Sequence, residues 1–324
     1  MNDVLQGKLV LVTGGAGFIG SHIVDALLER GAHVRVLDDL SSGSRENLAG
    51  VLPRIEFLEG DIRDAELCRR ACEGAAVVFH QAARGSVPRS MSDPATTIAI
   101  NVAGTANIFA GAREAKVGRV IYASSSSVYG DSPTLPKREG EEGKPLSPYA
   151  ASKAMNEQLA GVFARCFGMQ FVGLRYFNVY GPRQDPAGPY AAVIPRFFRA
   201  CLAGEGPVIY GDGEQSRDFT YVSDAVAANL AAAEAPESAC GRAYNVAGGR
   251  RTTVNELAEL VREASGSGLA ADHVAPRPGD VPHSLADLTR VRASLGWVPR
   301  VELPEGLAMA KTHYRGTVLR AAQR

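Results

Sequence analysis

Short apolar runs and amphipathic stretches alternate along the first half of the chain. The apolar runs are rich in β-branched residues and occur at KLVLVTG, HVRVLDD, IEFLEGD, AVVFHQAA, RVIYASSS and QFVGLRYFN. Helix-forming stretches lie between most of them, at SHIVDALLERGA, 64–73, about 95–116 and 149–167. Strands that alternate with helices predict right-handed βαβ units. The pattern therefore predicts an α/β fold, with a doubly wound parallel sheet and helices on both of its faces.

The alternation loosens after about residue 175. Proline and glycine become frequent there, and the stretch 180–195 is too long for a simple connection. The strand-like segment 243–249 is expected to rejoin the sheet. We therefore expect an N-terminal domain over 1–175, rejoined by about 219–249, and a smaller interleaved C-terminal α/β lobe over 176–324.

Composition narrows the class of protein. The 324 residues carry 35 basic and 35 acidic side chains, and no basic stripe suggests a nucleic-acid surface. The N-terminal apolar run is too short for a signal peptide, and no window approaches the roughly 20 apolar residues of a membrane span. The five cysteines show no CxxC pair and no metal-ligand spacing, so we expect free thiols, no metal and a cytoplasmic protein.

A glycine-rich stretch, VTGGAGFIGSH, follows the first predicted strand and opens the first helix. Gly15, Gly17 and Gly20 fit G-x-G-x-x-G, and Gly14, Gly17 and Gly20 fit G-x-x-G-x-x-G. Either register lets the backbone approach a pyrophosphate at a helix N-terminus. Asp38 ends the second strand, 18 residues beyond Gly20, where a carboxylate accepts hydrogen bonds from the adenine ribose. It would repel a 2′-phosphate, which favours NAD over NADP; a glycine-rich turn without a ligand is the alternative.

Two further strand ends support a dinucleotide site. Asp61 and Ile62 follow the third strand, where they could contact the adenine. The fourth strand ends in FHQAAR, whose small residues suit a backbone that passes close to a cofactor.

A serine run and a Tyr/Lys pair supply candidate catalytic groups. YASSSSVYG ends a strand at the carboxyl edge of the sheet, where ligands bind in open α/β folds. Tyr149 follows Ser126 by 23 residues, and Ser147 with Pro148 predicts a helix start. Lys153 then lies one turn after Tyr149 on the same face.

This pair suggests proton transfer. A nearby ammonium and a helix N-terminus are expected to lower the pKa of the Tyr149 phenol below its usual value of about 10. The phenol could then act as a general base, while a serine hydroxyl bonds the same substrate oxygen. An exposed i,i+4 pair without function is the alternative.

Together these motifs resemble the extended short-chain dehydrogenase/reductase family, and within it the 4-epimerases that act on UDP-glucose and UDP-N-acetylglucosamine. The resemblance runs nearly end to end and rests on TGGAGFIGSH, LDDLSSG, EGDIRD, NVAGT, SSSSVYGD, SPYAASK, LRYFNVYGPRQDP, YGDGEQSRDF and RPGDVPHSLAD. It implies a Rossmann-type NAD-binding domain over 1–175, a UDP-sugar lobe over 176–324 and tightly bound NAD. It also implies a homodimer through the helices near 95–116 and 149–167, with no membrane or nucleic-acid partner.

The resemblance also implies residue roles. Catalysis falls to Tyr149, Lys153, Ser126 and Ser125. The cofactor-binding positions are Gly14, Gly17, Phe18, Ile19, Gly20, Asp38, Asp39, Ser42, Gly43, Asp61, Ile62, Gln81, Ala82, Ala83, Asn101, Tyr149, Lys153 and Tyr176. The substrate-binding positions are Ser126, Tyr149, Asn178, Val193, Tyr210, Arg217, Arg277, Asp280 and Ser284.

The chemistry implied is transient oxidation at C4 of the sugar. Tyr149 takes the O4 proton while the C4 hydride moves to NAD+, and the 4-keto sugar turns over before the hydride returns. Related dehydratases carry TDEVYG, and related decarboxylases carry a glutamate just before VYG. Here those positions are Ser126 and Ser127, which favours an epimerase.

Sugar preference rests on fewer residues. Ser284 stands where narrow-specificity galactose epimerases have a bulky tyrosine, so an N-acetyl group has room and UDP-GlcNAc/UDP-GalNAc are favoured, with UDP-Glc/UDP-Gal slower. A UDP-glucuronate (or UDP-GlcNAc uronate) 4-epimerase is the alternative. Asn178 argues against it, because uronate epimerases often have threonine there, whereas Arg84, Arg89 and Arg183 could meet a carboxylate. An NAD-sensing binding protein is the non-enzymatic alternative.

Overall fold

A seven-stranded parallel sheet forms the centre of the molecule in a computed structural model that describes residues 4–186, 191–276 and 282–322. Its strands are β1 (Leu9–Thr13), β2 (His33–Asp38), β3 (Ile55–Glu59), β4 (Val77–His80), β5 (Arg119–Ser125), β6 (Phe171–Tyr176) and β11 (Arg242–Val246). They lie in the order β3-β2-β1-β4-β5-β6-β11. The order reverses between β1 and β4, and ligands of such sheets bind beyond the carboxyl ends of the strands at that point.

The remaining elements surround this sheet. Six short strands form three pairs: β7 (Val179–Tyr180) with β10 (Thr220–Tyr221), β8 (Val208–Tyr210) with β13 (Asp272–Val274), and β9 (Ser216–Asp218) with β12 (Arg251–Thr253). The helices are α1 (Phe18–Glu29), α2 (Ala65–Cys72), α3 (Val87–Ser92), α4 (Pro94–Ile98), α5 (Thr105–Glu114), α6 (Pro148–Phe167), α7 (Val193–Leu202), α8 (Val222–Glu234), α9 (Val254–Ser265), α10 (Thr289–Leu295) and α11 (Leu303–Ala322). A π-helical turn, Ala99–Gly104, joins α4 to α5.

Alternating side chains cover the two faces of the sheet. In β1, Val10 and Val12 belong to the apolar cluster that contains α1 and α8, whereas Leu11 belongs to the cluster of α2, α5 and α6. This follows from the period of two residues along a strand. Helices therefore cover both faces, as the alternation of strands and helices predicts, and the doubly wound fold is confirmed.

The last strand of the sheet comes from the second half of the chain. β11 pairs in parallel with β6, from Arg242 opposite Val172 to Val246 opposite Tyr176. The chain thus leaves the sheet at Tyr176, builds most of the smaller lobe and returns, so the segment 243–249 contributes a strand as its sequence predicts.

A second apolar core holds the smaller lobe together. It is built by α7, α9 and α11, and the rings of Phe198 and Tyr314 stack with 4.9 Å between centroids. The sequence analysis does not predict these helices. One signal was available, because Thr253 and Glu256 form a reciprocal capping box at the start of α9.

The five cysteines carry free thiols. Across residues 4–186, 191–276 and 282–322, no helix combines the length and apolar character that crossing a bilayer requires, and no cluster of potential metal ligands occurs.

Candidate active site and cofactor cradle

The glycine loop between β1 and α1 is packed too tightly for side chains. Gly14 adopts φ +68, and a Cβ there would lie 2.6 Å from the backbone nitrogen of Ala82. A Cβ on Gly20 would lie 2.1 Å from the carbonyl oxygen of Gly14, and one on Gly17 would lie 3.1 Å from it. A Cβ on Gly15 would lie 2.7 Å from the Val36 side chain. All four glycines are therefore tightly packed; Gly14, Gly17 and Gly20 meet backbone atoms, whereas Gly15 meets a side chain, and Phe18 and Ile19 lie in the first turn of α1.

Asp38 is fixed at the end of β2 beside this loop. Its carboxylate accepts hydrogen bonds from the backbone N–H groups of Ala16 (2.9 Å) and Leu40 (2.8 Å). Burial raises its pKa. Asp39 caps the following turn, which contains Ser42, and Gly43 lies close against Ala16 because a Cβ there would come within 2.7 Å of its backbone. The carboxylate and the glycine loop are thus held together before any ligand binds.

The predicted adenine contacts lie after β3. Asp61 accepts from the Arg63 guanidinium at 2.8 Å, which holds the pKa of the carboxyl below its usual range. Ile62 follows it and is buried.

Gln81, at the end of β4, belongs to a closed triangle of hydrogen bonds. The Tyr176 hydroxyl donates to the side-chain oxygen of Gln81 (3.2 Å), and the Gln81 side-chain amide donates to the side-chain oxygen of Asn229 (3.1 Å). The Asn229 side-chain amide donates back to the Tyr176 hydroxyl (2.7 Å). Ala82 and Ala83 follow Gln81. Sequence reasoning missed Asn229, a buried amide within the alanine-rich helix α8, and that isolated polar position was its signal.

Asn101 lies in the π-helical turn and is fully buried. Its side-chain oxygen accepts from the backbone N–H of Arg84 (2.8 Å), and its side-chain amide donates to the hydroxyl of Ser152 (3.0 Å). Asn101 thereby joins the loop after β4 to α6. Helical turns of this type often occur at functional sites.

Helix α6 begins as its sequence predicts. Ser147 caps it by accepting a backbone hydrogen bond, and Pro148 is its first residue. Tyr149 follows in the first turn, and Lys153 lies one turn later. The Lys153 ammonium donates to the carbonyl oxygen of Ala123 in β5 (2.9 Å) and lies 5.9 Å from the centre of the Tyr149 ring.

The predicted lowering of the Tyr149 pKa is wrong for the protein without ligands. Burial raises the pKa of this phenol, and a hydrogen bond with Ser125 opposes the rise only in part. Lys153 is 3% exposed, and burial lowers its pKa to about 8 while the nearby Glu157 opposes the fall. For Tyr149, the loss of surrounding water therefore raises the pKa by more than the neighbouring groups lower it.

The order of the two catalytic serine candidates also changes. The family resemblance implies that Ser126 pairs with Tyr149 and that Ser125 lies beside them. In the structure Ser125 is the partner of the phenol, and it also accepts from the Ser127 backbone N–H (3.2 Å) and hydroxyl (3.0 Å). Ser126 is instead the first residue of the 3₁₀ turn Ser126–Tyr129.

A buried histidine behind the site belongs to the core. His80 lies between the hydroxyls of Thr13 (2.7 Å) and Thr105 (2.9 Å). Burial lowers its pKa to about 3, with the Lys153 ammonium as a second cause, so the ring is neutral at ordinary pH.

Several predicted substrate residues gather around β9. Asn178 adopts φ +33 and donates to the carbonyl oxygen of Asp218 (3.0 Å). Arg217 lies in the strand and donates to the carbonyl oxygen of Ser216 (2.9 Å), which also accepts from the backbone N–H of Ser284 (3.0 Å). The structure therefore brings Asn178, Arg217 and Ser284 to one place.

The other substrate candidates are more spread out. Val193 begins α7, and Tyr210 ends β8 with the Arg196 guanidinium 5.4 Å from its ring centre. Arg277 and Asp280 lie outside the described residues.

Asp218 is a buried carboxylate that sequence reasoning missed. It is fully buried and accepts from the backbone N–H groups of Gly249 (3.0 Å) and Ala286 (3.1 Å). Burial raises its pKa to about 7. It joins β9 to the segment after β11 and to the segment that carries Ser284.

Known proteins are similar to this chain along nearly its whole length. A UDP-glucose 4-epimerase of Mycolicibacterium smegmatis is 42% identical over 309 residues, which cover 94% of this chain and 98% of that protein. The crystal structure of a Thermotoga maritima UDP-glucose 4-epimerase with UDP-glucose is 40% identical with a TM-score of 0.91, covering 96% of this chain and 100% of that one. A UDP-N-acetylglucosamine 4-epimerase from Methanobrevibacter ruminantium M1, in complex with UDP-N-acetylmuramic acid, is also 40% identical with a TM-score of 0.91, covering 96% and 99%.

The family model described as the NAD dependent epimerase/dehydratase family matches residues 10–247. That range contains the glycine loop, the Gln81 triangle and the Tyr149/Lys153 pair. The chain belongs to this family, and NAD is its cofactor.

Proposed function

We propose that this protein is a UDP-sugar 4-epimerase with tightly bound NAD, which interconverts UDP-GlcNAc and UDP-GalNAc and acts more slowly on UDP-Glc and UDP-Gal. The observation that carries the proposal is the grouping of Tyr149, Ser125 and Lys153 at the carboxyl edge of the sheet. A general base, a second hydroxyl and an ammonium meet there beside a dinucleotide cradle.

The residues present fit NAD. The glycine loop carries no side chains where it meets the N-terminus of α1, so a pyrophosphate could approach its backbone, and Asp38 stands at the neighbouring strand end. Asn101, Lys153 and the Gln81 triangle, which are fixed by hydrogen bonds at the ends of β4, β5 and β6, would hold the nicotinamide end. When bound, NAD supplies a reversible hydride acceptor and a positive charge.

The chain's own groups then handle the proton and the orientation. Tyr149 would remove the proton from O4 of the sugar, and Ser125 would hydrogen-bond the same oxygen. The positive charges of the Lys153 ammonium, which the carbonyl of Ala123 holds, and of bound NAD would together oppose the effect of burial on Tyr149 and favour its phenolate form. After the 4-keto sugar turns over, the Tyr149 hydroxyl returns the proton to O4, which restores the starting enzyme.

The residues after Ser125 support epimerisation over further chemistry at the sugar. Dehydration or decarboxylation needs an additional acid or base near the keto intermediate. Ser126 and Ser127 occupy the positions in question, and the Ser127 hydroxyl donates to Ser125. A serine has no proton-transfer group that titrates near neutral pH, so the reaction would stop at the keto intermediate and reverse.

The β9 region supports binding of the nucleotide diphosphate. A guanidinium can bind a diphosphate through two parallel N–H donors, and we assign this role to Arg217. Asn178 would hold the substrate near its phosphates, while Val193, Tyr210, Arg277 and Asp280 would serve the uridine end. The two solved relatives named above are a UDP-glucose 4-epimerase and a UDP-N-acetylglucosamine 4-epimerase.

The small side chain of Ser284 supports an N-acetylated sugar. Its backbone N–H donates to the carbonyl oxygen of Ser216, the residue before Arg217, which places Ser284 in the region proposed to bind the substrate. The uronate alternative is less well supported, because the Arg84 and Arg183 guanidinium groups already pair with Asp93 (2.6 Å) and Asp25 (2.7 Å).

We further propose a cytoplasmic homodimer in which 1–175 and 219–249 bind NAD and the rest binds the UDP-sugar. Met155, Val162 and Phe167 project from α6 with 46%, 42% and 48% exposure, and Met91 of α3 is 62% exposed. Apolar side chains this exposed on neighbouring helices suit a protein interface. Light scattering on the purified protein should give twice the mass of the chain, and a single-chain mass would overturn the dimer.

A substrate panel tests the function. Purified protein with NAD is incubated with UDP-GlcNAc, UDP-Glc and UDP-GlcA, and the 4-epimers are separated by chromatography. We expect the fastest conversion for UDP-GlcNAc, and a loss of about 10²–10⁴-fold in Tyr149→Phe with unchanged NAD binding. If wild-type protein converts none of the sugars, the epimerase proposal fails and an NAD-binding protein remains; fastest conversion of UDP-GlcA would support the uronate alternative.

A further inference from the structure

The end of β5 makes two contacts with α6, and only one of them involves a residue of the proposed chemistry. The Ala123 carbonyl accepts from Lys153, and the adjoining residue, Ser124, donates its hydroxyl to the carboxylate of Glu157. Glu157 lies one helical turn after Lys153, which itself lies one turn after Tyr149. A carboxylate is therefore anchored directly behind the ammonium.

Glu157 is held by a second, stronger partner. Arg175 of β6 donates to both of its oxygens, at 2.9 and 2.7 Å, in a fork geometry. Arg175 is 5% exposed and is itself fixed from the other side by the Tyr129 hydroxyl (3.0 Å) and the carboxylate of Glu142. The position of Glu157 is thus set by two strands of the sheet.

The charges around Lys153 differ in their effect on it. From its own helix it meets the phenol of Tyr149, which burial keeps neutral, and Glu157. From β4 it faces His80, which is uncharged, and from β6 the nearest charge is Arg175, which lies beyond Glu157 and repels a cation. Burial alone drives Lys153 toward the neutral amine, and Glu157 is the charged neighbour that opposes this.

We propose that Glu157 is a positioning residue for the reaction: anchored by Arg175 and Ser124, it keeps the buried Lys153 side chain charged and in place beside Tyr149. This rests on the proposed function, since the ammonium matters through proton transfer at Tyr149. Arg175 holds the carboxylate of Glu157 in position, one helical turn after Lys153. Without Glu157, Lys153 would lose the carboxylate that opposes the effect of burial, and Arg175 would keep its ion pair with Glu142.

The test is the pH dependence of epimerisation. In Glu157→Gln, the alkaline limb of the kcat/KM profile should move to lower pH by about one unit, because the amine loses its proton more easily. Glu157→Asp keeps the charge and should restore most of the wild-type profile. Glu142→Gln removes the other carboxylate of Arg175 and should lower thermal stability without moving the limb.

A second measurement separates this proposal from the proposed function. The Lys153 amine is titrated by NMR of labelled lysine side chains, with its signal assigned by loss in Lys153→Arg, so no turnover is needed. Its midpoint should fall in Glu157→Gln and stay near the wild-type value in Glu142→Gln. If Glu157→Gln does not fold, Arg175→Met is added so that no buried charge is left unpaired, and a smaller shift in the same direction is expected. An unchanged midpoint, or an equal shift in Glu142→Gln, would overturn the role of Glu157; wild-type protein that titrates as expected but converts no UDP-sugar would overturn only the proposed function.

Discussion

The two halves of the proposed site are held in place differently. In the cofactor half, Gly14, Asp38, Asn101 and Lys153 lie at the ends of long parallel strands or on the helices between them, and each is fixed by neighbours close in the sheet order. In the substrate half, Arg217 lies on a strand of three residues. The segments joined there come from distant parts of the chain.

This difference shows what fixes the positions of the site residues in each half. The cofactor half is set by backbone packing, which leaves almost no freedom at the glycine loop. The substrate half depends on bridges such as Asn178 to Asp218 and Asp218 to Ala286. We therefore expect substitutions in the first half to act on the fold and on NAD binding, and those in the second half to act on UDP-sugar binding.

Gly14→Ala should give the largest effect, in the cofactor half. Alanine would have to adopt a left-handed conformation and would meet the backbone of Ala82, so we expect a loss of about 3–4 kcal/mol in the free energy of unfolding. Chemical denaturation of the NAD-free protein measures it. The control is Gly50→Ala, where no atom lies within 4 Å of the added Cβ and a change of about 0.5 kcal/mol or less is expected. Equal effects at both positions would show that the loop is not rigidly packed.

Arg217→Ala tests the substrate half. We expect kcat/KM for the UDP-sugar to fall about 30- to 150-fold, equivalent to about 2–3 kcal/mol, mainly through KM and with little change in stability. Steady-state kinetics with NAD in excess gives the two parameters separately. Arg251→Ala, on the paired strand β12, is the matched control and should retain wild-type kinetics. A large fall in stability in Arg217→Ala would contradict the proposed division between the two halves.

Lys153→Met sharpens the comparison, because it should impair catalysis while stabilising the cofactor half. Without NAD, the folded protein carries an ammonium whose pKa burial lowers from 10.5 to about 8. We expect methionine to raise the free energy of unfolding by about 1–2 kcal/mol, after subtraction of the lost hydrogen bond to Ala123.

The gain in the free energy of unfolding of Lys153→Met should depend on pH. Below pH 8 the lysine is charged in both the folded and the unfolded states, so the cost of burying the charge is complete and the gain from methionine is largest. The gain should fade between pH 8 and 10.5, as the folded protein releases the proton first. Urea denaturation across this range checks it, with the exposed Lys8→Met as control; a gain that grows with pH would show that burial of charge is not the cause.

Ser284→Tyr should give the smallest and most selective effect. A tyrosine would occupy the room proposed for the N-acetyl group, so conversion of UDP-GlcNAc should fall about fivefold relative to UDP-Glc, equivalent to about 1 kcal/mol. Competition between the two sugars measures the ratio directly, and Ser284→Ala should leave it unchanged. An equal loss for both sugars would mean that Ser284 does not determine the choice.

The halves also differ in how far sequence predicts them. Strand β1, the glycine loop and the start of α6 follow from patterns within about 20 residues, because hydrophobic period, glycine spacing and the Ser147–Pro148 cap act locally. Asn229 and Asp218 were missed because their partners lie far away in the chain. The pKa of Tyr149 was predicted in the wrong direction, because burial depends on the whole fold and a list of nearby charges leaves it out. The three-residue strands were not predicted, because such short segments show no recognisable alternation of apolar and polar residues.

The placement of β11 ties the two halves to one event during synthesis. Until residue 246 has left the ribosome, β6 has no partner on one side and exposes a full row of backbone N–H and C=O groups. A fragment that stops after the proposed cofactor segment 1–175 would present the buried strand β6 at the sheet edge in place of β11, and open edges of apolar strands pair with other chains. We therefore expect such an N-terminal fragment to associate with other chains more readily than the whole protein, in which the returning chain supplies β11.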